Sequence, residues 1–311
     1  MTDGMGAQGM IAVDKMGGQV LFLNPDTFVT EVAIGGFPRT VHELLILPDA
    51  GLAYVPIYGD GIHGKNPNPG HVLAIIDLKL RKHVGDIDLR PYVSPHTLKL
   101  APDGLVYVTC ENSAVVAIID PKTHRMIDTI GSGSTNAHRL IISPDGKFIY
   151  TENEEDAEVS VIDLPGRKLV GKIKTPHPLA GITITADGMT IIVVDDEQPG
   201  LFLIDTGKVE VVRTIPLVDN PKPAQIARFR PDYKVLAVSS VAGDMVTLFN
   251  ADLSEQTAIP VGKGAMDMAF RGDDLFVGCQ YDGTMHVIDI PSRKVRHSFA
   301  CGTGVESIGF F

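Results

Sequence analysis

The sequence predicts an all-β chain: a seven-bladed β-propeller of four-stranded antiparallel blades, closed by joining N-terminal strands with a C-terminal one. Three observations carry this prediction. One pattern of apolar runs and turn signals recurs at a nearly constant interval. Each recurrence holds four short strand-like runs. The two ends of the chain supply complementary fractions of a single such unit.

The first run of each unit, strand A, is read in VHELLILPDA (41–50), PHTLKLAPDG (95–104), NAHRLIISPDG (136–146), LAGITITADG (179–188) and AQIARFRPDY (224–233), with AMDMAFRGDD (265–274) a weaker copy. Most end on Pro-Asp-Gly or a close variant. Pro sets φ and Gly supplies φ > 0, so the triplet is a turn between strands A and B. Strand B follows as a β-branched run, for example LVYVTC (105–110), KFIYTE (147–152) and TIIVVD (190–195). Strand C ends in Asp or Asn, as in VVAIID (115–120) and EVSVID (158–163), and strand D has the form RKLVGKI (167–173). The alternation has a period of two, the signature of half-buried strands, and no useful stretch has helical periodicity.

Strand A starts at 42, 96, 138, 180, 225, 266 and 306, which makes seven units spaced by 40 to 54 residues. That interval suits a propeller blade. The chain opens with only three strands (10–14, 19–24 and 28–34) and ends with a lone strand A (306–311). Joining them completes a blade and leaves no open sheet edge in the ring. The expectation is a single domain over residues 1–311.

The recurring P-x-x-[LI]-x-[LI]-x-P-D-G, [VI]-Y-V-[TV] and V-x-[VI]-I-D phrases resemble the YVTN-type β-propeller repeat family and cover nearly the whole chain. The resemblance implies a propeller fold. Through its lactonase-like and virginiamycin B lyase-like members it also implies metal-assisted chemistry on a small molecule. The chain has no Trp and so lacks the aromatic phrase of the virginiamycin lyases.

One position in strand A stands out. Counting back eight residues from the turn Gly, or its equivalent, gives His42, His96, His138, Ala180, Gln225 and Met266, and the last strand puts Glu306 in the same slot. Strand A is expected to line the central channel, with this slot at one mouth. Three imidazoles and a carboxylate in successive units are the donor set of a divalent metal with open positions for substrate. Iron ranks first, then manganese or zinc. Ala180, Gln225 and Met266 would line the opposite side as part of a substrate pocket.

Strand B returns to the same mouth, so its end and the following loop belong to the site. These hold Tyr58 and Asp60, Glu111 and Asn112, Glu152 and Asn153, and Asp195 and Asp196. Glu111 and Glu152 are the first candidates to orient a histidine or to act as general base. The first complete unit is 12 residues longer than the next, because of the loop YGDGIHGKNPNPGH (58–71). A long loop on a rigid scaffold is commonly a lid. It brings His63, a candidate catalytic group, and His71, a candidate pocket residue. His83, His124, His177, His286 and His297 fall on outer strands or loops and are expected to be structural or solvated.

Composition narrows the partners. A net charge of -11 disfavours nucleic acid and anionic membrane surfaces. No run approaches the length of a membrane span. The opening MTDGMGAQGM lacks the basic-then-apolar pattern of a secretory signal. Cys110, Cys279 and Cys301 show no CxxC spacing, which fits a reducing cytoplasm. The expected function is a metal-dependent lyase, isomerase or hydrolase acting on a small organic molecule. An oxygen-dependent iron or copper enzyme is the first alternative, since carotenoid-cleaving propellers and the selenium-binding-protein family also use channel histidines. A non-catalytic binding propeller is the second.

Overall fold

The computed structural model describes residues 8–61 and 66–311, as twenty-eight β-strands and two short 3-10 turns, Pro48–Ala50 and Glu154–Asp156. The strands form seven four-stranded antiparallel sheets, the blades of a seven-bladed propeller. Six follow chain order. The remaining sheet runs Val305–Phe310, Met10–Asp14, Gln19–Leu23, Thr30–Ile34, so the last strand of the chain pairs with the first. Among the described residues no helix is long and apolar enough to cross a membrane.

The turns form as their residues require. Gly104, Gly146 and Gly188 have φ of +80, +70 and +72, and the preceding aspartates accept backbone N–H groups two residues on. Burial departs from the expected alternation. Inner strands such as Val106–Cys110 and Met10–Asp14 are buried at every residue, whereas strand D Lys168–Lys174 is mostly exposed. A sheet covered on both faces has no wet side to alternate with, so period two survives only towards the rim.

Contacts divide the chain into two compact units. The first comprises Met1–Val55, Ile75–Gly85 and Leu217–Phe311, and the second Pro56–Ala74 and Asp86–Pro216. The second holds its core between consecutive sheets: Tyr107, Val116 and Ile118 against Leu140, Ile149 and Ile162, then Ile141, Tyr150 and Val159 against Ile182, Val193 and Phe202. In the first unit Met10, Leu21 and Ile308 meet Phe276, Met285 and Val287.

The joined blade also lies in the first unit. Met10 pairs with Phe310 and Ala12 with Ile308. The strand expected from 28 begins only at Thr30, because Phe28 has a φ of +62 and its ring stacks 4.8 Å from Phe299. Asp14 clasps the join. Fully buried, its carboxylate accepts the N–H groups of Gly17, Thr303 and Gly304 at 3.1, 3.0 and 2.7 Å, and the Gln19 amide at 2.7 Å. Gly302 is required there: its φ is +65, and a Cβ would come 2.5 Å from Asp14 Oδ2.

Asp14→Ala should therefore leave several buried N–H groups unsatisfied and cost about 3 kcal/mol or more in urea unfolding. A loss under about 1 kcal/mol would mean that strand pairing alone holds the join.

Candidate functional site

In four of the seven blades strand A begins with an irregularity in its pairing to strand B, and the slot residue sits in it; His42, His138 and Gln225 instead precede regular ladders. Pro95 pairs with Cys110 and Leu98 with Val108, so the stretch carrying His96 has one residue too many. The same shift places Ala180 between Leu179 and Gly181, Met266 between Ala265 and Met268, and Glu306 between Val305 and Ser307. A β-bulge of this kind re-aims a side chain at the end of a strand. The residue after strand B then stands near the slot: Glu111 near His96 and Lys15 near Glu306, while Asp196 pairs with Pro178 and Gln280 with Gly264. His138 and Arg139 both oppose Glu152, by His138 N to Glu152 O at 3.0 Å and Glu152 N to Arg139 O at 3.0 Å.

In the second unit these positions build a buried cluster. His96, Glu111, His138 and Glu152 are each at most 6% exposed. His96 Nε2 and His138 Nε2 lie 3.0 Å apart, and His138 Nε2 is 3.9 Å from Glu111 Oε1. One donor atom from each of His96, Glu111 and His138 falls within 4.8 Å of the others. Glu152 Oε1 sits 2.8 Å from His138 Nδ1, and Glu154 Oε1 is 3.2 Å from the same nitrogen. A carboxylate accepts, so Nδ1 carries the proton and Nε2 keeps a lone pair directed at the cluster. Glu152 is itself fixed by the N–H groups of Arg139 and Glu154, both at 3.0 Å.

Tyr58 completes this wall. Its hydroxyl donates to Glu111 Oε2 at 2.6 Å, and its ring meets His96 edge-on at 5.8 Å. Burial, then the charge of Glu111, raise the phenol well above its ordinary pKa, so it stays a donor. Arg139 lies beside the cluster: its Nη1 donates to the Ala180 carbonyl at 2.6 Å and comes 3.4 Å from His138 Nδ1.

Acids surround this cluster. Asp196 is exposed as a residue, yet its carboxyl group is pushed up to about 6, first by partial desolvation and then by the charges of Glu152, Glu155, Asp195 and Glu197. Asp195, expected in the same loop, instead accepts His177 Nδ1 at 2.8 Å and the N–H groups of Glu197 and Gln198.

The remaining expected residues have plainer surroundings. Asp60 is exposed and accepts Asn68 N and Nδ2, at 3.1 and 2.6 Å, which closes its loop. The His71 carbonyl accepts Leu89 N at 2.8 Å. Asn153 donates to Ser160 Oγ at 2.8 Å, and Asn112 to Ser94 Oγ at 3.2 Å. His63 lies outside the described residues, so the lid expectation for 58–71 is described only at its ends. Cys110, Cys279 and Cys301 are free and buried, and burial pushes each thiol up to about 12, so they are neutral thiols.

The first unit holds the other two slot donors. His42 Nε2 and Glu306 Oε1 are 3.9 Å apart, and His42 Nδ1 lies 2.6 Å from the Thr40 carbonyl. Lys15 Nζ is 2.9 Å from His42 Nε2 and 3.3 Å from Glu306 Oε2, while Gln280 donates to the same Glu306 oxygen. Gln225, which precedes Ile226–Phe229, donates its N–H to Ser239 O at 2.7 Å. The Met266 carbonyl accepts Ser239 Oγ at 2.5 Å. Lys15, Gln280, Arg139 and Glu154 were not among the expected site residues. The first two occupy the same post-strand-B position as Glu111, but a search for acids and imidazoles passes over Lys and Gln.

With this geometry in place, the class of protein follows from comparison with known ones. Residues 100–256, half of the chain, match the family described as the cytochrome D1 heme domain. The chain belongs to that family. No protein of curated function matches it by sequence. Among solved structures it is similar to hydrazine synthase of Kuenenia stuttgartiensis, at 17% identity and a TM-score of 0.72, over 90% of this chain and 92% of that one. It is also similar to the dihydro-heme d1 dehydrogenase NirN in complex with DHE, at 14% and 0.68, over 97% and 75%. A functionally unknown protein from Desulfotomaculum acetoxidans gives 16% and 0.80, over 98% and 99%. At these identities the likeness is one of fold. The match and these neighbours support a propeller family, as the repeat phrases imply.

The family description names a heme, and the cluster can be tested against it. A tetrapyrrole fills four positions of its iron and leaves the protein the two axial ones. Axial nitrogens on bonds of about 2 Å lie about 4 Å apart on opposite sides of the metal. His96 Nε2 and His138 Nε2, at 3.0 Å, cannot form such a pair. His96 and His138 are therefore not the two axial ligands of one tetrapyrrole iron. The two imidazole nitrogens have the spacing of adjacent ligands on a small divalent cation, where bonds of about 2.1 Å put two nitrogens about 3.0 Å apart, and Glu111 Oε1 stands farther out, 3.9 Å from His138 Nε2.

The crowding of acids has a signed consequence. The Asp196 carboxyl is raised in the folded chain to about 6 from an ordinary 3.8. Its charged form therefore weakens folding at pH above about 6, and the penalty fades as pH falls towards 4. Asp196→Asn should raise the melting temperature near neutral pH and lose that advantage at about pH 4. An equal gain at both pH values would mean that the acids do not crowd this carboxyl.

Proposed function

We propose that this chain is a metal-dependent enzyme that holds one divalent cation, iron first, on His96, His138 and Glu111 and acts on a small organic molecule. One observation carries the reading: two imidazole nitrogens and a carboxylate oxygen converge, buried, within 4.8 Å. Two histidines and one carboxylate on one face of a metal, with the other positions open, are the donor set of redox-active non-heme iron. Such an ion supplies Lewis-acid and one-electron chemistry when bound. The oxygen-dependent alternative therefore ranks above lyase, isomerase or hydrolase chemistry.

The protein's own groups prepare that centre. Glu152 holds the proton on His138 Nδ1 and so keeps Nε2 available. Tyr58 binds one oxygen of Glu111 and leaves the other directed at His138. The surrounding acids raise the local concentration of cations. Asp196, with its carboxyl near 6, can exchange a proton close to neutral pH.

A second reading is favoured by the family match. Its residues 100–256 include Glu111, His138 and Glu152. In that reading the chain binds a tetrapyrrole and at most one histidine of the pair meets its iron.

Elemental analysis and absorption spectroscopy of the purified protein separate the two. About one equivalent of metal without a tetrapyrrole absorption band is expected. His96→Ala and His138→Ala should each lose most of that metal while staying folded. Glu152→Gln should keep it with affinity lowered about 10–100-fold, as for other changes one shell removed from a metal. A stoichiometric tetrapyrrole band would favour the second reading. Full metal content in both histidine variants would sink the first.

A further inference from the structure

The His42–Glu306 pair was expected to bind metal, and its surroundings in the first unit suggest another occupant. We propose that the Lys15 ammonium is the resident cation of this pair, and that it keeps divalent metal out. The inference stands apart from the reading of the His96 cluster and does not need that cluster to be loaded.

Four side chains make the site: Lys15, His42, Gln280 and Glu306, at 8, 5, 8 and 3% exposure. The Thr40 carbonyl can only accept, so the contact of 2.6 Å places the His42 proton on Nδ1. Neutral His42 then offers the Nε2 lone pair, and an ammonium has only donors. The 2.9 Å contact is Lys15 donating to His42. A second Lys15 proton points to Glu306 Oε2 at 3.3 Å. The imidazole and the carboxylate thus present the atoms they would present to a metal, and a compact positive charge already lies between them. The sum of charges, Lys15 with Glu306, is zero. A divalent ion entering beside the ammonium would meet repulsion without the uncompensated carboxylate that normally attracts it.

The fold explains why the cation is covalently attached. The register that sets Glu111 beside His96 also sets the residue after Asp14 beside Glu306. In the blade that joins the two ends of the chain, that residue is Lys15. Removing one member of a buried pair leaves the other charge uncompensated, so loss of the ammonium should convert the pair into a metal site. Gln280 can then turn its amide oxygen towards the ion.

The test uses the full chain dialysed against zinc, with metal content and circular dichroism as readouts. His42→Ala and Glu306→Gln should leave the zinc content of the otherwise native protein unchanged. Lys15→Met should bind about one more equivalent than the native chain, with a higher melting temperature in zinc, and Lys15→Met/His42→Ala should lose the added equivalent. Lys15→Gln makes the same test should the methionine variant fail to fold. A drop in zinc on His42→Ala alone would overturn the proposal. So would folded Lys15→Met and Lys15→Gln proteins that both gain no zinc. The outcomes for His96→Ala and His138→Ala are separate: a native chain that binds no zinc, with a gain in Lys15→Met, would reject the proposed function and retain this inference.

Discussion

The site geometry depends on one constraint, the pairing register between the first two strands of each blade. In four blades a shift of one residue at the start of strand A leaves an unpaired position, and the slot side chain occupies it. The residue after strand B then stands near the slot. His96 thus meets Glu111, and Glu306 meets Lys15, by the same backbone rule. A regular ladder would have aimed these side chains alternately at the two faces of the sheet, into the apolar layers on either side. The shift aims them past the end of the strand instead.

Buried charge then determines what each pair becomes. Carboxylates and imidazoles removed from water need a counter-charge or a network of donors. In the second unit Glu152 is held by two backbone N–H groups and a histidine, and Glu111 by Tyr58. These donors orient the acids, and the buried Arg139 guanidinium stands beside them, 3.4 Å from His138 Nδ1. In the first unit Lys15 brings the counter-charge as part of the chain. Lys15 is thus the buried cation between His42 and Glu306, whereas Arg139 stands beside His138 and turns its Nη1 to the Ala180 carbonyl.

Much of this was legible before any coordinates. Counting back from the turn glycine found His96, His138, His42 and Glu306, because turn chemistry fixes the register from which the count is made. Placing the end of strand B at the same mouth found Glu111 and Glu152. The count could not reveal that Glu111 offers an oxygen beside the imidazoles while Glu152 takes the proton on the far side of His138. Glu111 follows its strand B whereas Glu152 ends its own, one position earlier in the repeat, and successive residues of a strand point to opposite sides. Lys15 and Gln280 went unnoticed because neither is an acid or an imidazole.

By itself the sequence determined the blade pattern, the number of units and the join of Val305–Phe310 to Met10–Asp14, since these follow from local periodicity and turn residues read along one chain. It also determined which residues share the slot. Tertiary structure alone decided which slot donors face a compensating charge. That depends on distances between residues as far apart as Lys15 and Glu306, which periodicity does not encode. Coulomb attraction and hydrogen-bond direction act over a few ångströms in space, and a lysine 3.3 Å from a glutamate across the joined blade is invisible in the order of residues.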